Sequence, residues 1–262
     1  MQAFPVPGSA LFRRLRRSFR RVRRSRALLR AGALAGMAGP VGFTAAWIAA
    51  SLRQSGHSPG EIQISGLAAP GARDPWIMLT GFLALGGCLL AFGPALRHEL
   101  GTRSSVHDRG ASPADDAGIA RVTLHDHGKP AERAAAGPAP WLVEAAGVLV
   151  IAAGLLRRDH MLLTPGPGSW HNQAHDAVSA AIYALLIAIP LVLARRLRGD
   201  PRWKGLPALL TVGAAATAVT LIVFSAAGAN SPQAGVLQRA GVSIPLAALV
   251  TLAARLRRLA PA

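Results

Sequence analysis

The chain holds one cysteine, Cys88, one tyrosine, and only 12 acidic residues against 29 lysines and arginines. A lone cysteine excludes an intramolecular disulfide, and no CxxC or Cys/His zinc pattern occurs. Cys88 lies in an apolar block and reads as a small packing residue. Aromatics make up 5% of the chain, and only Phe12 and Phe19 fall in or beside the arginine run, with no tyrosine or tryptophan there. The net charge of +17 is therefore not read as a nucleic-acid footprint, which would pair basic groups with stacking rings. No acidic residue falls near the middle of an apolar run, so a carboxylate proton relay through a membrane is not supported. No cofactor motif is present.

What is abundant is apolar. The hydrophobic set reaches 51%, and the mean hydropathy is +0.34. These residues gather in blocks of about 20, the length that spans a hydrocarbon core of about 30 Å at 1.5 Å per residue. Inside lipid the backbone must satisfy its own hydrogen bonds, so the blocks are expected to be helices. The fold class expected is all-α: an integral membrane bundle of six transmembrane helices. The spans are placed near 31–52, 76–97, 141–156, 174–194, 206–227 and 236–254. The first block follows a charged start, as a signal peptide would. It is longer than a usual signal core and further spans follow, so it is read as a retained span.

Residues 1–30 form a basic arm with ten arginines. Leu11, Leu15, Phe19 and Val22 recur at helical spacing. The arm is either an amphipathic surface helix or a disordered anchor, and in both cases its partners are anionic lipid headgroups. Residues 98–140, rich in Gly, Ala, Pro, Asp and His, read as a disordered loop. His125-Asp126-His127 within it read as solvated side chains. With the N-terminus inside, the arm, the second and fourth loops and the tail hold ten, six, five and three basic residues. Only Arg53, Arg73, Arg157, Arg158 and Arg239 fall outside. That asymmetry places both termini in the cytoplasm of a multi-pass cell-membrane protein.

The candidate binding set sits at the outer ends of the spans: Asp159, His175, Asp176, Arg239, Glu61 and Ser65. Arg239 lies about one turn inside the sixth span. An arginine there is costly unless it faces the bundle and finds a partner. A carboxylate from Asp159, Asp176 or Glu61 is expected, with snorkelling to headgroups as the alternative. His171 and His175 stand at i, i+4, a spacing that can donate two metal bonds. With Asp159 or Asp176 they would form a hydrolytic metal site, but no HExxH glutamate accompanies them. No metal site and no catalytic residue is assigned. Glu144 opens the third span, where the helix dipole favours a carboxylate. Gly32 and Gly36 allow close helix approach.

Several stretches carry a family resemblance. They are GPVGFTAAWIAASL at 39–52, HSPGEIQISGLAAPG at 57–71, PWIMLTGFLALGG at 75–87, Arg158-Asp159, HNQAHDAVSAA at 171–181, ARRLRGDPRWKGL at 194–206 and GVLQRAGV at 235–242. In order, over roughly 31–100 and 141–258, the chain resembles the bacterial six-helix membrane family known as domain of unknown function 998. The resemblance implies six helices and no known activity. Similar proteins place an acidic residue where this chain has Gly66 and a glycine where it has Ala68. The reading is a non-enzymatic multi-pass protein of a bacterial inner membrane that binds a lipid or small ligand at an outward polar pocket. A metal-dependent hydrolase and a small transporter are the alternatives.

Overall fold

The computed structural model describes residues 8–55, 58–110, 136–162, 168–227 and 231–260, with side chains described from Ser25 to the end of these segments except 102–110. The His125-Asp126-His127 stretch and the side chains of Leu11, Leu15, Phe19 and Val22 lie outside the described residues. Among the described residues there are six α-helices: α1 Gly8–Leu52, α2 Pro75–Gly110, α3 Ala139–Leu155, α4 Trp170–Leu197, α5 Leu206–Ala227 and α6 Ala234–Leu259. Five of them are long and apolar enough to cross a bilayer. The other, α3, is apolar but has 17 residues, at the short limit for a spanning helix.

The fold is all-α, and each helix packs on its sequence neighbour. The last helix returns to the first, so the six close a ring. Small residues set the spacing. A Cβ on Gly36 would come within 2.8 Å of Phe92 on α2 and 2.9 Å of Ala253 on α6. The Gly32/Gly36 pair is thus consumed by packing within the chain. On α5 the buried residues Leu210, Ala214, Thr217 and Leu221 recur at spacings of four, three and four, one helical face. Its other side exposes Val212, Val219 and Ile222, whose burial against lipid chains is what makes such a surface tolerable. Trp76 and Trp170 at one end of the ring and Trp141 at the other are exposed, as rings at a membrane interface are.

The two ends differ. At the basic end Arg97 pairs with Glu144 and lies 3.6 Å over the Trp141 ring. Arg196 donates to the Leu100 carbonyl (3.2 Å), and Arg255 donates to that of Arg202 (2.9 Å). Glu144 is therefore held by a side chain as well as by its place near a helix start. At the opposite end, residues 58–72 between α1 and α2 form a strap in which everything from Ile62 to Ala69 is buried. A short 3-10 turn, Ser65–Ala68, lies at its centre.

Two sequence boundaries shift. The arm is not a separate segment, because α1 runs unbroken from Gly8 through the first apolar block. Helix α2 continues to Gly110, past the expected end of its span at 97. No proline follows Pro94 before Gly110, so the hydrogen-bonded ladder has no breaker where the apolar stretch ends. Pro190 and Pro245 sit inside α4 and α6 without ending them.

A strap over a central cavity

The strap is fastened mainly by the first turns of α6. The Gly60 carbonyl accepts from the backbone N–H groups of Gly235 (2.6 Å) and Val236 (3.3 Å). One turn on, Arg239 donates through Nη1 to the carbonyls of Pro59 and Ile62 (the latter at 2.8 Å) and through Nη2 to Ser51 Oγ at 2.9 Å. Its guanidinium stands 5.3 Å from the Trp47 ring centroid. Gln238 Oε1 accepts the Ile64 N–H at 2.5 Å. These contacts share one helix face because 235, 238 and 239 are three and four residues apart. Gly235 is needed there, since a Cβ would collide with the Ile62 carbonyl oxygen.

This replaces the expected ion pair. Arg239 is 9% exposed and meets carbonyls and a hydroxyl, with no carboxylate among its partners in the described residues. The physical reason is the strap. Its turns leave carbonyls that no helix satisfies, and a planar guanidinium with five donors can serve several at once. Glu61 is exposed.

The acidic residues lie closer to another arginine. Arg158, after α3, is 5% exposed and donates to Gln63 Oε1 at 2.8 Å. Burial pushes its pKa below the ordinary arginine value, while nearby Asp176 and Asp159 act in the opposite direction. Asp159 itself accepts from Ser169 Oγ (2.5 Å) and the Ser169 N–H (2.6 Å). Those bonds hold its carboxyl below the usual aspartate range. Ser169 in turn caps α4 by accepting the Asn172 N–H. Asp176 is exposed and accepts from Asn172 Nδ2 at 3.1 Å.

The two histidines do not converge. His171 is exposed and stacks on Trp170 with centroids 3.6 Å apart. His175 is 2% exposed, and its Nδ1 lies 3.0 Å from the Ala153 carbonyl and 2.7 Å from that of Leu156. Among the described residues no three His, Cys, Asp or Glu side chains are grouped to hold a metal ion. The His171, His175 and carboxylate set is not assembled: its two ends are occupied by a tryptophan ring and by backbone carbonyls.

Beneath the strap the ring encloses open space. One cavity reaches from Ile64 and Ser65 down to Leu246. A second continues toward the basic end past Pro190 and Pro245. Leu89, Ala146, Leu186 and Leu246 border both. The lower cavity has an apolar lining. The upper one has apolar walls interrupted by Ser65, His175, Ser179, Tyr183 and Gln238. His175, Ser179 and Tyr183 fall on one face of α4 at i, i+4 and i+8.

Of the six candidate residues, the structure brings only His175 and Ser65 to this cavity. Arg239 anchors its cover. Asp159 braces the α3–α4 connection, and Glu61 and Asp176 face outward. Sequence reading missed Ser51, Gln63, Ser179, Tyr183 and Gln238. A signal existed for two of them: Tyr183 is the only tyrosine and Gln238 adjoins Arg239, and both are polar groups inside apolar spans.

A search of curated proteins and a search of solved structures each returned no match. The family model described as protein of unknown function (DUF998) matches residues 37–107 and 118–255, which takes in the strap, all six apolar helical segments in part or whole, and every residue of the cavity lining. The chain belongs to that family, DUF998.

Proposed function

We propose that this protein is a six-span membrane protein that holds an apolar, lipid-like or small amphiphilic molecule inside its ring. The observation that carries the reading is the cavity pair: apolar walls contributed by several helices, with polar side chains confined to the strap-proximal half. A few placed polar groups in an apolar wall are what orient a small ligand. We place the basic end and both termini in the cytoplasm of a bacterial inner membrane, with the strap outside. The distribution of lysine and arginine supports this orientation. The arginines of α1 sit on a helix continuous with the first span, well placed to meet anionic headgroups. No catalytic role is assigned to any residue.

The binding reading is tested by lipid extraction and mass spectrometry of protein purified in nanodiscs. Wild type is expected to retain a defined bound apolar molecule. Ala146→Phe, which fills the space bordering both cavities, is expected to release it while the protein stays folded. Wild type without any retained molecule, and unable to take one up, would end the proposal. For orientation, Cys88 is replaced and single cysteines are introduced at Ser58 and Arg198. Impermeant maleimide should label the first and spare the second in intact cells; the reverse pattern would invert the topology.

A further inference from the structure

The basic end of the ring carries more positive charge than its acids use. Three acidic side chains are described there, and each already faces an arginine. Glu144 pairs with Arg97, Asp200 lies 3.3 Å from Arg202, and Glu99 stands 3.8 Å from the same arginine. Five further cations are exposed and have no carboxylate partner among the described residues: Arg195, Arg198, Lys204, Arg257 and Arg258.

The fold gathers these five around one helix. Arg195 and Arg198 end α4, Lys204 stands two residues before α5, and Arg257 and Arg258 end α6. Helix α5 packs between α4 and α6 in the ring, so its basic-end start has cations on both sides. The frame behind them is fixed. Trp203 is fully buried in the α4–α5 turn. Arg196 ties the end of α4 to α2 through the Leu100 carbonyl, and Arg255 ties the end of α6 to that turn through the Arg202 carbonyl.

Beyond this collar, α5 has no ionisable side chain over its whole length. It exposes an apolar stripe that includes Leu209, Val212 and Val219. Leu209 to Val219 covers about 15 Å along the axis at 1.5 Å per residue, half of a hydrocarbon core of about 30 Å. The surface therefore joins a cationic collar to apolar side chains over the depth of one leaflet.

We infer that the basic end of α5 and its two flanks form a binding site for an anionic phospholipid, with the phosphate at the collar and the chains along α5. Charge complementarity selects the headgroup, because a zwitterionic lipid brings a cation of its own to five cations. The stripe selects a chain-bearing molecule over a free phosphate ester, which buries no apolar surface there. The site is separate from the α1 arginines and from the cavity, and it does not depend on what the cavity holds.

The test uses the full chain, delipidated in detergent, and native mass spectrometry of retained phosphatidylglycerol and phosphatidylcholine of equal chain length. Phosphatidylglycerol is expected to bind about tenfold or more tightly, and raising the ionic strength with ammonium acetate should shrink the difference. Arg198→Gln combined with Lys204→Gln should weaken phosphatidylglycerol by about fivefold for each charge removed, the equivalent of about 1 kcal/mol per cation, and leave phosphatidylcholine unchanged. Arg198→Lys combined with Lys204→Arg keeps the charge and should keep wild-type selectivity within about twofold. Arg157→Gln, at an exposed position on the opposite end, should change neither lipid. Glycerol phosphate should displace the lipid only in large excess. Equal retention of the two lipids, selectivity that survives the double glutamine variant, or the same loss from Arg157→Gln overturns the site. Displacement by stoichiometric glycerol phosphate overturns the lipid assignment in favour of a soluble phosphate ester. Zero-length cross-linking of Lys204 to Asp115, Asp116, Asp126 or Glu132 in place of lipid binding also overturns it, by making the chain its own occupant.

Discussion

Replacing Arg239 by methionine keeps much of the side chain's length and removes its donors. Three hydrogen bonds vanish: to Pro59 O, to Ile62 O and to Ser51 Oγ. A bond from a charged donor contributes about 1.5–3 kcal/mol, but one guanidinium does not collect three such terms in full, because its own burial costs part of them. A net loss of about 3 kcal/mol is expected, in the range found when one partner of a buried charged network is removed. Arg239→Lys should recover only part, since an ammonium cannot span two carbonyls and a hydroxyl as the planar fork does. Denaturant titration of the detergent-solubilised protein gives the magnitude. Hydrogen exchange gives the place: protection should fall over residues 59–66 and stay unchanged near Arg97 and Glu144. Combining Arg239→Met with Asp159→Ala should give additive losses within about 0.5 kcal/mol, as for sites without shared partners. A loss below about 0.5 kcal/mol for Arg239→Met, unaltered strap protection, or strong coupling to Asp159 would refute the clasp.

Gly66→Asp should destabilise this chain by about 1–3 kcal/mol by overpacking, since a Cβ there collides with the Met161 carbonyl oxygen; thermal unfolding by circular dichroism checks it. Two ion pairs, Arg97–Glu144 and Arg53–Asp74, should separate in double-mutant cycles. Arg97–Glu144, with side chains 22% and 20% exposed and a tryptophan against the cation, should couple by more than about 1 kcal/mol. Arg53–Asp74, at 50% and 28%, should couple by less. Asp159 carries the acid dependence of the α3–α4 connection. Its folded pKa is depressed by Ser169, so its contribution is complete above the ordinary value of 3.8 and is lost as pH falls through the lower folded value. Melting temperatures taken from pH 5 downward should show that acid loss in wild type and a smaller one in Ser169→Ala.

The membrane helices were legible in the sequence because their cause is local. A run of apolar residues long enough to cross hydrocarbon must satisfy its backbone internally, whatever lies beside it. The six blocks accordingly reappear as α1 to α6 with ends shifted by a few residues, and by more only at α1 and α2, where helix continues into polar sequence. Arg239 was legible as a buried, partnered residue for the same reason: its cost depends on depth along the span.

Which groups meet it was not legible. Depth puts Asp159 and Asp176 first and Glu61 third, but the partners are carbonyls of a strap whose path is set by Gly235, Gly60 and Gln238, with the Ser51 hydroxyl. Nor does helical spacing say that His171 turns outward onto Trp170 while His175 turns inward onto carbonyls. The sequence by itself determined the membrane class, the helices and the asymmetry of charge, since each follows from the solvation of individual residues. Only the tertiary structure decided that the helices close a ring, that the strap covers it, and that His175 and Tyr183 border its cavity. Those depend on contacts between segments far apart in the chain, and no local solvation preference encodes them.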